Sequence, residues 1–234
     1  MLWPELISQL RDRCEQRLRR INKRDWVTHV ALAILQITCL HCKHFMSTRQ
    51  RLLKCALQEL ESKGIEDFSL RSVGANAGLS AMAVYRHFAN KDELLRVVGE
   101  EAFESWRERI AKIREQDIEK WMRKVTRAYA EFALDEPARF DACFVLKTHV
   151  ERVYPEDFRA GKSPVISLSM ERIRQAQANN EWVDGDPLEM AMLVWAQVHG
   201  LVMLHRSGRF SLPRARFIAL CLRCADQLLR GLRP

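Results

Sequence analysis

Two pairs of cysteines have the spacing of metal or redox sites. Cys39 and Cys42, followed by His44, supply three of the four ligands that a structural zinc site usually has, and no fourth is established. Cys221 and Cys224 lie three residues apart in a stretch with helical periodicity, where their Cβ atoms would be about 5–6 Å apart. A disulfide needs roughly 3.8 Å, so we interpret this pair as small core residues. We predict no metal site and no cofactor.

Two other stretches share part of an enzyme motif but lack one of its glycines. Residues 160–163, AGKS, end like a phosphate-binding loop, yet Glu156 stands where the first glycine of that loop belongs. Residues 78–82, GLSAM, begin like the nucleophile turn of an esterase, yet Met82 replaces the last glycine of that turn. We therefore predict that the protein is not an enzyme and has no catalytic residues.

The composition predicts a folded, helical, cytoplasmic protein. Of the 234 residues, 47% are hydrophobic, and only nine are glycine and seven proline, so long stretches lack any helix breaker. The seven cysteines form an odd number, which favours reduced thiols in a cytoplasm. A formal net charge of +8 is compatible with a polyanionic partner such as DNA.

Capping residues and a glycine divide residues 46–100 into a helix-turn-helix domain. Ser69 and Ser80 are suited to cap the second and third helices, and Asn90 is suited to cap a fourth. Gly78 lies between the second and third helices and can adopt the positive φ of a tight turn. The pattern predicts about 14, 8 and 7 residues for the first three helices.

The third of these helices would be the recognition helix, whose first residues face base edges in the major groove. These residues are Ala81, Met82 and Ala83. Their side chains offer only apolar contacts, which suit thymine methyl groups. Polar reading of the bases must therefore come from another helix.

Residues 101–234 predict a second helical domain, for effector binding and dimerisation. Helices are predicted near residues 117–135, 138–149, 165–180, 187–206 and 214–231. The last two carry adjacent apolar rows, which are wider than the stripe of a surface helix. We therefore predict a homodimer in which these helices form a four-helix bundle. The predicted interface consists of Trp195, Phe217, Cys221, Leu222, Cys224 and Leu229.

Residues 1–45 form an N-terminal extension with two interpretations. Its apolar run, Trp26–Leu40, is about 15 residues long and is interrupted by polar side chains, whereas a membrane span needs roughly 20. Met46 begins a stretch that looks like a fresh protein start. The extension is therefore either a misassigned translation start or a real helix that packs on the body or on a membrane surface.

Residues 52–95, LLKCALQELESKGIEDFSLRSVGANAGLSAMAVYRHFANKDELL, resemble the DNA-binding domain of the TetR/AcrR family of bacterial transcriptional regulators. The family spacing is matched at Gly64, Ser69, Ala77 to Ser80, Tyr85, His87, Phe88 and Lys91. Residues 186–204, DPLEMAMLVWAQVHGLVML, resemble the subgroup with a Trp-x-x-x-His-Gly signature in the ligand domain. Gly74 departs from the family, which usually has alanine there. We expect this glycine to weaken the second helix by up to about 1 kcal/mol.

The resemblance implies which side chains hold DNA. Phosphate contacts fall on Ser69, Ser80, Tyr85, His87 and Lys91. Arg71 falls at a family position that reaches the groove, and its guanidinium suits the paired acceptors of guanine. Arg86 is a second candidate, for a base or a phosphate. Alternatively, Tyr85 and His87 pack against neighbouring helices and Arg71 is an ordinary solvated charge.

An effector pocket is predicted among the central helices. Its candidate lining consists of Trp121, Phe132, Phe140, Phe144, Met170, Trp195 and His199. These residues indicate a small apolar or aromatic ligand. The alternative is that they are ordinary core residues, with Gly200 permitting close helix approach and His199 bonding internally.

These features together predict a homodimeric, ligand-responsive repressor. It would bind an inverted-repeat operator in double-stranded DNA and be released by a small apolar effector of unknown identity, without membrane contact. The competing prediction is a TetR-like helical protein that does not bind an operator and associates with a membrane through residues 1–45.

Overall fold

The structure, a computed structural model, describes residues 46–148 and 150–234, and every regular element within them is an α-helix. In chain order these are α1 Thr48–Lys63, α2 Leu70–Asn76, α3 Ala81–Tyr85, α4 Lys91–Ala111, α5 Ile118–Asp135, α6 Pro137–Phe144, α7 Glu156–Arg159, α8 Pro164–Ala178, α9 Pro187–Arg206 and α10 Arg214–Arg230. The predicted all-α class is confirmed. The N-terminal extension, with Trp26–Leu40, Cys39, Cys42 and His44, lies outside the described residues.

The chain divides into two units, residues 1–50 and 51–234. In the described part of the first unit, the Ser47 N–H donates to Gln50 Oε1 at 2.9 Å, and Ser47 Oγ accepts the Gln50 N–H at 3.2 Å. This reciprocal pair is a capping box that begins α1. The second unit contains the candidate functional residues.

The first three helices occur in the predicted order, with 16, 7 and 5 residues. Ser69 Oγ accepts the Ser72 N–H at 3.1 Å and so caps α2. Ser80 Oγ accepts the Ala83 N–H at 3.3 Å and so caps α3. Each hydroxyl satisfies one of the amide groups that the first turn of a helix leaves unbonded.

A buried carboxylate joins α1 to α2. Glu59 on α1 is 1% exposed, and it accepts hydrogen bonds from Lys63 Nζ and from Asn76 Nδ2, both at 2.8 Å. Lys63 Nζ also donates to Ser72 Oγ at 2.9 Å. Burial by itself would raise the pKa of the Glu59 carboxyl, but the bonds from Lys63, Ser72 and Asn76 hold that pKa below its usual value. The carboxylate therefore stays ionised and fixes the angle between the two helices.

Helix α4 is a single rod of 21 residues that extends across the predicted boundary between residues 100 and 101. Two reciprocal hydrogen bonds cap its N-terminus. Asn90 Oδ1 accepts the Glu93 N–H at 2.8 Å, and Glu93 Oε2 accepts the Ala89 N–H at 2.6 Å. The helix buries Trp106 and Ile110 near its other end. Because one helix belongs to both predicted domains, the division at residue 100 stays a prediction.

The remaining helices match the predicted ranges except around residue 150. Helix α6 ends at Phe144 rather than near residue 149, and residues 145–148 and 150–155 form no helix. The short helix α7 lies in a segment that the sequence predicted to be a break. Helix α5 packs on α10, and α8 packs on α9. Ion pairs of Arg123 with Asp226 and of Arg214 with Asp135 also join α5 to the C-terminal helix.

Most residues of the predicted dimer interface are buried within this protomer. Phe217, Cys221, Leu222 and Leu229 are all at most 4% exposed, so they offer little surface to a partner. Cys224 remains partly exposed, and no disulfide joins it to Cys221. Helix α10 thus directs most of its apolar rows toward its own domain, mainly toward α5 and α9.

Candidate nucleic-acid interface and ligand cavity

The contact between α2 and α3 depends on Gly74. Gly78 turns the chain with a φ of 67°, and the Leu79 N–H donates to the Gly74 carbonyl at 2.8 Å. A Cβ atom at position 74 would lie 2.7 Å from Cγ2 of the fully buried Val84, well inside the optimal separation of two carbons. Gly74 therefore lets α3 lie directly against α2. The sequence predicted a weaker α2 at this position but not this packing role.

The first turn of α3 presents small and apolar side chains to solvent. Ala81 and Met82 are exposed, Met82 to 69%, and Ala83 is half-buried. On the opposite side, Val84 and Phe88 are buried and hold the helix to its domain. The side chains on the exposed side carry no conventional hydrogen-bonding group.

Four polar side chains surround this surface. Arg71 on α2 and Arg86 after α3 are exposed and form no hydrogen bond or ion pair with any residue that the structure describes. Tyr85 is 54% exposed, and His87 is also exposed. Neither side chain is buried between helices in the way that the alternative interpretation expected. All four are accessible to a phosphate or a base edge.

Lys91 is less free than these residues. It is half-buried at the first position of α4, where Nζ donates to the Ile65 carbonyl at 3.0 Å and lies 5.5 Å from the ring centroid of Phe68. An ammonium has three N–H donors, so Lys91 both holds the loop before α2 and retains donors for a phosphate. Ser69 and Ser80 accept their capping bonds and retain their own O–H donors.

A cavity of about 470 Å³ lies among α4, α5, α6, α8 and α9. This volume is within the range of roughly 300–1,000 Å³ that is typical of small-molecule sites. Its walls are mainly apolar and aromatic, and they include Trp106, Met122, Tyr129, Phe144, Phe158, Val194, Trp195 and Val198. Charged residues line its solvent side, namely Glu100, Glu104, Arg107, Lys147, Glu151 and Arg152.

Of the residues predicted to line an effector pocket, Phe144 and Trp195 border this cavity. Trp121, Phe132, Phe140, Met170 and His199 do not line the cavity. The first three are fully buried in the surrounding core. Trp195 was also predicted at the dimer interface, but it faces the cavity. Aromatic residues at helical spacing mark the buried side of a helix without showing which of them borders an empty space.

Tyr129 connects the cavity wall to α9. Its hydroxyl accepts the Trp195 Nε1–H at 3.0 Å and lies 2.8 Å from His199 Nδ1. Burial raises the pKa of Tyr129 and lowers that of His199, so the phenol and the imidazole are both neutral near pH 7. The tyrosine oxygen accepts from the tryptophan, and its O–H donates to His199 Nδ1 in the tautomer that leaves Nδ1 unprotonated. Burial also raises the pKa of the cavity-lining Cys143 thiol, which therefore remains protonated.

Helix α4 belongs both to the cavity wall and to the unit that holds α3. Phe103 and Trp106 on α4 line the cavity, while Lys91 at its start contacts the loop before α2. Gly99 lies between them, and a Cβ atom there would approach Thr148 Oγ1 to 2.7 Å. The segment after α6, which also lines the cavity, is therefore packed against the backbone of α4.

Comparison with protein families agrees with this arrangement over most of the chain. Residues 52–98 match the family model of bacterial regulatory proteins, tetR family. Residues 122–226 match the model of the tetracyclin repressor-like C-terminal domain. The chain belongs to the TetR family. As a member of this family it is a transcriptional regulator rather than an enzyme.

Solved structures with the TetR fold are similar along nearly their whole length. A protein of unknown function from Rhodococcus sp. RHA1 is 26% identical, with a TM-score of 0.67 over 82% of this chain and 98% of that one. A TetR-family transcriptional regulator from Pectobacterium atrosepticum is 24% identical, with a TM-score of 0.60 over 80% and 94%. The fatty acid degradation regulator FadR from Bacillus halodurans shares the fold at 14% identity, with a TM-score of 0.63 over 80% and 97%. No curated protein matches the sequence significantly.

The Trp-x-x-x-His-Gly stretch of this TetR protein has three separate environments. Trp195 lines the cavity, and His199 binds Tyr129 just outside the cavity wall. A Cβ atom at Gly200 would meet nothing within 4 Å. No helix in the described part of the chain therefore approaches Gly200 closely. The internal bond of His199 agrees with the alternative interpretation of the sequence, whereas the close approach at Gly200 is not found within this protomer.

Proposed function

We propose that this TetR-family regulator is a repressor that binds an inverted-repeat operator as a homodimer and leaves it when a small apolar effector binds. The observation that carries the proposal is the exposed first turn of α3, which Gly74 allows to pack closely against α2. Arg71 and Arg86 flank it and pair with no residue that the structure describes. An exposed apolar turn surrounded by donors suits a DNA groove with phosphates on both sides. Its site of action would be the cytoplasm.

In this proposal, residues of both α2 and α3 recognise the bases of the operator. The guanidinium of Arg71 binds the paired acceptors of guanine, while Ala81, Met82 and Ala83 contact thymine methyl groups. Tyr85, Arg86, His87 and Lys91, with the O–H groups of Ser69 and Ser80, hold phosphates. One such unit contacts few base pairs, so useful specificity requires two copies on a symmetric site.

The second copy would cover the outer face of α9 and α10. Leu193 and Leu204 are 49% and 46% exposed, and they lie on the same side of α9 as Ala196 and Gly200. Helix α9 is strongly apolar over most of its length, with a mean hydropathy of 1.3 over 18 residues, yet only 28% of that stretch is buried in this protomer. A helix of this kind is normally covered on every side. The open space at Gly200 would let the partner helix approach closely.

Effector binding would act through α4. A ligand in the cavity would contact Phe103 and Trp106 on this helix. Through Lys91, the start of α4 supports the reading unit, by which we mean helices α1 to α3. A ligand that prefers one position of α4 shifts the population between DNA-competent and incompetent states. The predominantly apolar walls support an apolar effector.

A selection of genomic fragments by the purified protein tests the proposal. We expect recovery of a short inverted repeat near a promoter, because two identical reading units are related by a twofold axis. Recovery of no enriched site by a folded, dimeric protein would contradict the repressor function and favour a TetR-like protein without an operator.

A further inference from the structure

We propose that the effector is an organic acid with an apolar body, and that Arg152 binds its carboxylate at the solvent side of the cavity. This inference rests on the proposed role of the cavity as the effector site, and it names the chemical class of the ligand.

Arg152 is held in place without a carboxylate partner. Its guanidinium lies over the Phe103 ring, 4.2 Å from the centroid. Nε donates to the Lys162 carbonyl at 3.1 Å, and one terminal nitrogen donates to the Val150 carbonyl. Among the described residues no carboxylate lies within ion-pair distance of it. Asp157 interacts with the charge of Arg152 only at longer range and forms its own ion pair with Lys162 Nζ at 2.7 Å. Three of its five N–H donors remain.

The carboxylates that share the cavity rim are already engaged. Glu104 pairs with Arg107 and Glu100 pairs with Arg96. Glu151 accepts the Thr148 N–H at 2.6 Å. Two cations at the rim keep unused donors, Lys147 and Arg152. The Lys147 side chain is exposed and forms no bond with a described residue, whereas Arg152 is held in place by its ring contact and its two carbonyl bonds. A planar guanidinium with parallel N–H groups matches a carboxylate in a bidentate geometry.

The interior of the cavity fits the rest of such a molecule. Phe144, Phe158 and Trp195 form part of an aromatic wall, with ring centroids 6.0 and 6.3 Å apart along the row. One polar atom in the wall is unsatisfied: Thr126 is 1% exposed, and its Oγ1 has no hydrogen-bond partner. Leaving a buried hydroxyl unbonded is costly. A polar substituent on the ligand body would satisfy it.

Calorimetric titration of the full 234-residue chain with matched ligands tests the class. One set of probes is decanoate, decanol and decylamine, and the other is naphthoate, naphthylmethanol and naphthylmethylamine. Each set of three keeps one apolar body and changes only the polar group between an acid, an alcohol and an amine. We expect at least one acid to bind about tenfold or more tightly than its alcohol and its amine, because a charge-assisted pair adds to the apolar contact.

Variants then assign the preference to Arg152. Arg152→Gln should bring the acid to the affinity of the alcohol and leave the alcohol unchanged. Arg152→Lys keeps the positive charge but loses the planar guanidinium, so it should retain part of the preference for the acid. This variant keeps the inference testable if Arg152→Gln does not fold. Arg174→Gln, which removes an exposed arginine on α8, is the control and should bind like the parent chain.

Four results would overturn the inference: equal affinities within each trio, preference for an amine, no binding by either acid, or an acid preference that survives in Arg152→Gln. The titrations contain no DNA. If an operator is recovered but no acid binds, only the proposed ligand class is contradicted. If an acid binds but no operator is recovered, the proposed repressor function is contradicted.

Discussion

Arg71 is the residue to which the account gives polar base recognition. Its side chain is exposed on α2, beside the apolar surface of α3, and is bonded to no described residue. Arg71→Ala should relax base preference at one position of each operator half-site and cost about 1–3 kcal/mol there. Binding to a panel of single-base operator variants measures this. Equal weakening on every sequence would show that Arg71 holds only phosphate.

Gly74 tests the packing of the reading unit. Helix propensity alone predicts that Gly74→Ala stabilises α2 by about 1 kcal/mol. The structure predicts the opposite sign, because the new Cβ would lie 2.7 Å from the buried Val84 Cγ2, and such overpacking typically costs about 1–3 kcal/mol. We expect chemical denaturation to show a loss of stability, together with weaker operator binding as α3 is displaced. A more stable variant with full operator affinity would contradict the close contact.

At the scale of elements, the junction of α1 and α2 should be sensitive to acid. The pKa of Glu59 is lowered in the folded protein. Its contribution to the free energy of unfolding is therefore fully present above the ordinary glutamate pKa of about 4.3. That contribution is lost as the pH falls through the lowered folded pKa. Other carboxyl groups with lowered pKa values, such as Asp117 and Asp157, also contribute to acid unfolding, so the comparison must be with a variant.

Glu59→Gln should be less stable than the parent near pH 7, by about 1–3 kcal/mol, because its amide cannot accept from both Lys63 and Asn76 as the carboxylate does. The difference should shrink as the pH falls below 4.3. Thermal unfolding as a function of pH measures it, with Glu61→Gln on the exposed side of α1 as the control. A difference that is independent of pH would show that the charge of Glu59 is unimportant.

The sequence predicted the helices best where their ends are determined locally. Ser69, Ser80 and Asn90 cap α2, α3 and α4 as expected, because a cap needs only a side-chain oxygen and an amide two or three residues away. The end of α6 at Phe144 was missed. Residues beyond it pack on α4 through Thr148 and Gly99, a contact between distant parts of the chain that no local pattern shows. Gly74 was misinterpreted for the same reason.

The assignment of apolar residues to surfaces is where sequence alone was weakest. The rows on α9 and α10 were recognised, but Phe217 and Cys221 face their own domain while Leu193 and Leu204 face outward. Trp106, Thr126 and Tyr129 were not predicted to line the cavity, although all three do. Periodicity identifies the buried side of a helix. Which neighbour covers that side depends on the packing of the whole molecule.

At the scale of the whole molecule, the outer face of α9 should hold the dimer. Leu204→Glu places a charge on this face, so we expect monomers in sedimentation velocity and loss of tight operator binding. The protomer should keep its stability to within about 0.5 kcal/mol, because the side chain is 46% exposed. Leu168→Glu, on an exposed position of α8, is the control. An intact dimer of Leu204→Glu would exclude this face as the interface.

The most direct test of the account is the operator affinity of Met82→Glu, measured by fluorescence anisotropy on the recovered inverted repeat. Met82 is 69% exposed at the centre of the proposed reading surface, so the variant should fold and dimerise normally. We predict affinity weaker by at least about tenfold, because a carboxylate there opposes the phosphates and loses the apolar base contact. Leu168→Glu should bind like the parent chain. Unchanged affinity in Met82→Glu would contradict the claim that α3 reads DNA.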